Sequence, residues 1–100
     1  MIKIKQTEAY EKWFDSLSDG RAKARIDVRI RRLSLGNPGK TRPVGEGIME
    51  LKIDYGPGYR VYYVSKGKTV VMLLAGGDKK TQNKDIAIAK MLAKEIQEEG

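Results

Sequence analysis

The sequence contains neither cysteine nor histidine. The first absence excludes disulfide staples, thiolate zinc sites and cysteine nucleophiles together. The second excludes a Ser-His-Asp triad, an HExxH metal site and the histidine acid/base pair on which many ribonucleases rely. Any catalysis must therefore come from Lys, Arg, Tyr, Asp or Glu. No apolar run approaches the roughly 20 residues of a membrane helix. The N-terminal Met1-Ile2-Lys3-Ile4-Lys5 alternates rather than building the hydrophobic region of a secretion signal, so a cytoplasmic protein with no membrane partner is expected. No metal cluster can be assembled from the acidic residues, and no cofactor is called for.

What is present is positive charge. Twenty Lys and Arg stand against 13 Asp and Glu, a formal charge of +7, while 40% of the residues are hydrophobic. The apolar share suffices for a core, so the charge belongs to the surface of a folded domain and favours a polyanionic partner: RNA, DNA or an acidic protein. A chain of 100 residues is one domain, 1–100, because it is too short to divide into two cores.

Ile2 and Ile4 alternate with Lys3 and Lys5, the period-2 pattern of a short edge strand. Thr7 can cap a helix in which Tyr10, Trp13, Phe14 and Leu17 form one apolar stripe, ended by Ser18-Asp19-Gly20. A second helix, about Arg21 to Leu35, carries Ala22, Ile26, Ile30 and Leu33 on one face and a stripe of Arg21, Arg25 and Arg32 beside it. Gly36-Asn37-Pro38-Gly39 stops it. Lys40 to Gly47, with a proline, two glycines and no periodicity, reads as a loop. Strands follow at about Ile48 to Asp54, Tyr59 to Ser65 and Thr69 to Ala75, joined by turns too short for anything but antiparallel pairing. Gly76-Gly77-Asp78 ends the last strand. A final helix has Asp85 in its first turn and Ile88, Leu92 and Ile96 on its apolar side, a face open to docking on the core, a partner protein or a second copy in a homodimer. The fold class is α+β, in the order β-α-α-β-β-β-α, with an antiparallel sheet, an N-terminal helical hairpin and a C-terminal helix.

Four local blocks sharpen this pattern: Gly47-Ile48-Met49-Glu50-Leu51-Lys52; Gly56-Pro57-Gly58-Tyr59-Arg60-Val61-Tyr62-Tyr63; Leu73-Leu74-Ala75-Gly76-Gly77-Asp78-Lys79-Lys80; and Gln82 with Asp85-Ile86. In this order and spacing the chain resembles the RelE/ParE toxin superfamily, in its addiction module killer protein branch close to HigB-type toxins. The resemblance implies a compact RelE-like fold and the toxin of a type II toxin–antitoxin pair, neutralised by a cognate antitoxin encoded beside it. It further implies an mRNA interferase: an endoribonuclease cutting messenger RNA on the ribosome and so inhibiting translation. The ParE branch of the superfamily inhibits DNA gyrase without cutting RNA, and that is the alternative.

The residues themselves fit a metal-free attack of a 2′-hydroxyl on the neighbouring phosphorus. Arg60 is the first choice for holding charge on the phosphate, since a guanidinium stays protonated and offers two parallel donors. Lys52 is the best base, because nearby positive charge and partial burial can free a lysine of its proton. On an ideal strand Glu50, Lys52 and Asp54 share one face, opposite Met49, Leu51 and Ile53; Arg60, Tyr62 and Val64 share another, opposite Tyr59, Val61 and Tyr63. Lys52 and Arg60 are then neighbours on the outer surface of the sheet, with Tyr62 placed to stack on a base or assist proton transfer. Lys79 joins this catalytic group from the end of the sheet. Glu50, Lys80, Gln82 and, from the second helix, Arg25 and Arg32 are the candidate substrate contacts. Plainer readings stand beside these: pairing of Glu50 and Lys52 with neighbours across the sheet, an ordinary surface or antitoxin contact for Arg60, packing for Tyr62, turn or cap roles for Asp78 and Asp85, and a solvated face for the helix arginines.

Overall fold

A computed structural model describes residues 1–99. The chain runs β1 (Lys3–Gln6), α1 (Glu8–Ser16), α2 (Gly20–Ser34), β2 (Thr41–Gly45), β3 (Ile48–Ile53), β4 (Tyr59–Lys66), β5 (Val70–Gly77) and α3 (Gln82–Glu99). The five strands form one sheet in the order β1-β5-β4-β3-β2. The α+β class stands as expected, with α1 and α2 consecutive near the N-terminus, and two points of the expected topology are corrected.

The first correction is β2. Lys40–Gly47 contains an edge strand, paired antiparallel with β3 so that Arg42 faces Glu50 and Thr41 faces Leu51. Pro43 and the glycines hid it, yet an edge strand tolerates proline because one side of its backbone needs no ladder partner. Glu46 and Gly47, both at positive φ, make the tight turn into β3. The second correction is that the sheet is mixed. β2 through β5 are antiparallel neighbours joined by short turns, but β1 lies parallel to β5. Most of the chain separates those two strands, so the limit that short links impose does not apply to them.

Each face of the sheet is covered. Tyr10 of α1 and Ile26 and Leu33 of α2 pack with Leu51, Ile53, Val61, Tyr63, Val71 and Leu73 on one side. On the other, Ala89 and Ala93 of α3 close over Ile48, Tyr62, Leu74 and Ala75, with Ile86, Ile88, Leu92 and Ile96 at the margin. The apolar side of α3 thus docks on its own sheet. Thr7 ties the hairpin down: its hydroxyl accepts from the Tyr10 amide at 3.0 Å and donates to the Leu74 carbonyl at 2.6 Å. Asp19 caps α2 through the amides of Arg21 and Ala22.

β5 runs two residues further than expected. The pairing with β4 slips between Tyr62 and Tyr63, which face Ala75 and Leu73. This bulge sends both Leu74 and Ala75 to the α3 side. Gly76 and Gly77 then remain in the strand, and the neighbours explain both glycines: a methyl on Gly76 would overlap the Trp13 ring, and one on Gly77 would overlap the Asp85 carboxylate.

Candidate functional site

The face shared by β3 and β4 carries two rows of polar side chains. In the register, Glu50 stands opposite Tyr62 and Lys52 opposite Arg60. β2 extends both rows: Arg42 faces Glu50, and the Lys52 amide donates to the Lys40 carbonyl at 3.1 Å. The period-2 alternation read from the sequence is therefore the one observed. The expectation of an open outer surface is corrected, because α3 lies over this face and buries the inner part of both rows.

Glu50 is only 2% exposed. Its Oε1 accepts from Arg42 Nε at 2.8 Å, while its Oε2 accepts from the Tyr62 hydroxyl at 3.1 Å and from Gln82 Nε2 at 2.9 Å. Burial alone would push this carboxyl up. The hydrogen bonds from Arg42 and Gln82, with the Arg42 charge, outweigh burial and hold it below the usual glutamate range. Glu50 is an ionised anchor whose oxygens are already engaged.

Tyr62 is fully buried, so its ring has no free face for a base, and the stacking role is corrected. Burial first, and the Glu50 charge second, raise its hydroxyl far above the ordinary tyrosine range. It stays protonated and serves to hold Glu50.

Arg60 is buried too, its side chain 6% exposed. One terminal nitrogen donates to the Gly58 carbonyl at 2.7 Å, and Nε lies 3.7 Å from Glu50 Oε1 without a hydrogen-bond partner. A buried guanidinium whose nearest carboxylate is committed to three other donors is an under-neutralised charge. Lys52 is more open, at 36%, with Nζ 3.6 Å from Asp54 Oδ1; Lys40 approaches the same carboxylate at 3.4 Å.

The residues before α3 place Gln82. Asp78 Oδ1 accepts from the amides of Lys80 and Thr81, and the Thr81 hydroxyl donates to Asp85 Oδ2 at 2.5 Å. Burial pushes the Asp85 carboxyl up, against the lowering effect of that Thr81 bond. Asp78 and Asp85 act as the expected turn and helix-start residues.

Two clefts open beside Arg60. The first, about 400 Å³, is lined by Lys40, Thr41, Arg42, Glu50, Lys52, Arg60 and Gln82. The second, about 350 Å³, is lined by Lys52, Asp54, the turn Tyr55 to Gly58, Arg60 and Lys79. The structure thus gathers Glu50, Lys52, Arg60, Gln82 and Lys79. Lys80 is exposed and lines neither cleft. Arg25 and Arg32 are set apart in a larger groove of about 680 Å³, with Arg21, Ala24, Val28, Arg29, Ile53 and Asp54. There Arg25 lies over the Tyr55 ring at 4.7 Å, and Arg29 is spent on the carbonyls of Lys52, Pro38 and Lys40. Lys40 and Arg42 are the site residues that reading the sequence missed. The available signal was Thr41-Arg42-Pro43-Val44 leading into a glycine-flanked turn, an edge strand in disguise.

The family model described as Phage derived protein Gp49-like (DUF891) matches residues 12–97. The chain belongs to that family. The matched span includes every lining residue of both clefts, so the polar rows are part of the Gp49-like fold. An uncharacterised protein of Haemophilus influenzae (strain Rd) is 50% identical over 95 residues, covering 95% of this Gp49-like chain and 96% of that protein. Among the described residues, no helix is long and apolar enough to cross a membrane.

Proposed function

We propose that this Gp49-like protein is the toxin of a toxin–antitoxin pair, and that it acts as a metal-independent endoribonuclease on messenger RNA at the ribosome. The observation that carries the reading is the cleft in which Lys40, Arg42, Lys52 and Arg60 surround one saturated carboxylate, Glu50. Arg42 and Arg60 face the buried Glu50, while Lys40 and Lys52 approach the exposed Asp54; four basic side chains against two carboxylates leave a positive surplus suited to a phosphodiester. The resemblance of the four sequence blocks to HigB-type toxins, and membership of a phage-derived family, support it.

In the reaction, Lys52 is the proposed base: its Nζ takes the 2′-hydroxyl proton as the 2′-oxygen bonds to phosphorus. Arg60 and Arg42 hold the charge that gathers on the non-bridging oxygens. The bond from phosphorus to the 5′-oxygen breaks, and that oxygen takes a proton from water or from the protonated Lys52. The products are a 2′,3′-cyclic phosphate and a 5′-hydroxyl. Lys52→Arg keeps the charge but cannot exchange a proton. It should lose cleavage about as fully as Lys52→Ala, on the order of a hundredfold or more; full activity of the arginine variant would make Lys52 a charge-holder only.

The groove on α2 is the proposed antitoxin surface. Arg21, Arg25 and Arg32 rim an apolar floor that includes Val28, which is 52% exposed, and this suits an acidic amphipathic segment better than a nucleic acid backbone. Primer extension on transcripts after induced expression tests the nuclease. New 5′ ends within coding sequence are expected; intact messages in arrested cells, with inhibited supercoiling by the purified protein, would instead favour gyrase inhibition.

A further inference from the structure

The two clefts share a wall. Lys52 and Arg60 stand directly opposite one another in the register of β3 and β4, and both side chains line the first cleft and the second. The first lies toward β2 and the start of α3, and the second toward the turn between β3 and β4. Lys79 supplies the far side of the second, where its amide approaches the Pro57 carbonyl at 3.5 Å. The wall is built as well as charged: the Arg60 side chain is more than nine-tenths buried, donates to Gly58 in the turn, and keeps an Nε with no hydrogen-bond partner.

We infer that the second cleft is a phosphate seat in its own right, so that the protein grips two consecutive phosphates of a single RNA strand across the ridge of Lys52 and Arg60. This rests on the proposed RNA-directed function and extends it. The first cleft takes the scissile phosphate against Arg42 and Arg60. The adjacent phosphate enters the second, with Lys79 as its main partner and Arg60 between the two. The turn carries the backbone of Gly56, Pro57 and Gly58 to the cleft edge with little side-chain bulk. A chain of phosphates can therefore pass close to it. Asp54 occupies the same rim, but Lys40 and Lys52 already approach its carboxylate, which limits repulsion of the incoming anion.

The test uses the purified full chain and two 2′-O-methyl oligonucleotides that cannot be cleaved: a dinucleoside monophosphate and a trinucleoside diphosphate. Binding is measured over a range of salt concentrations. The diphosphate should bind about tenfold more tightly, with a salt slope steeper by roughly 0.7. Lys79→Ala should erase both differences between the two ligands, and Arg42→Ala should weaken both ligands. Thermal melting of each variant confirms folding. If the second phosphate adds nothing, or its gain survives Lys79→Ala, the second seat does not exist, and the nuclease reading is untouched. If neither ligand binds even at low salt, the inference is overturned. If both bind in the expected order but the unmodified RNA analogue is never cut on the ribosome, the two-phosphate grip stands and the nuclease reading fails.

Discussion

Tyr62→Phe separates a supporting role for the central tyrosine from a chemical one. The hydroxyl is removed from a fully buried ring whose oxygen lies 3.1 Å from Glu50 Oε2. A hydrogen bond to a charged group contributes about 1.5–3 kcal/mol. Gln82 still donates to the same oxygen, at 2.9 Å, and Arg42 to the other, so the cost should sit at the lower end, about 1.5 kcal/mol. For a domain of this size, that corresponds to a fall in Tm of roughly 6–12 °C, measurable by thermal unfolding followed by circular dichroism. Cleavage assayed well below the transition should drop by less than about tenfold, whereas loss of a proton-transfer group costs about 10²–10⁴. A variant that melts with the wild type yet loses cleavage a hundredfold would refute the supporting role and return Tyr62 to the chemistry.

Three further outcomes follow from the same contacts. Gly77→Ala places a methyl on the Asp85 carboxylate and should cost roughly 3 kcal/mol or more by denaturant unfolding; adding Asp85→Ala should recover part of that loss, and strict additivity would show the two do not meet. Because Glu50 is held below the usual glutamate range, the stability it contributes is fully present above the unfolded value and is lost as pH falls through the folded one. Glu50→Gln should therefore flatten the decline of Tm in acid, and an unchanged acid limb would remove Glu50 from it. Arg25→Glu with Arg32→Glu should slow association with the proposed antitoxin by about tenfold or more and leave the proposed RNA cleavage intact; a matching loss of cleavage would place the α2 groove in the RNA site.

Alternation made the two rows legible in advance. Period 2 alone puts Glu50 with Lys52 and Arg60 with Tyr62, and the short turn between their strands brings the rows together. Four things were not legible, each for a physical reason. β2 was hidden by Pro43 and two glycines, residues that weaken a central strand but not an edge. The burial of Tyr62 depends on where α3 lies, a tertiary placement that local pattern does not reveal. The extension of β5 through Gly76 and Gly77 is decided by Trp13 and Asp85, which approach from distant parts of the chain. The helix arginines carried too little local information to be assigned. Their stripe is plain in the sequence, but only the fold shows that it faces a groove on α2 that meets the second cleft at Asp54.

Mapping both ends of a defined message cut during reconstituted translation tests the central claim most directly. The wild-type protein should release fragments ending in a 2′,3′-cyclic phosphate, paired with fragments beginning in a 5′-hydroxyl, and Arg60→Ala, folded by thermal melting, should release neither. A message left intact by saturating wild-type protein, or cut equally well by Arg60→Ala, would contradict it.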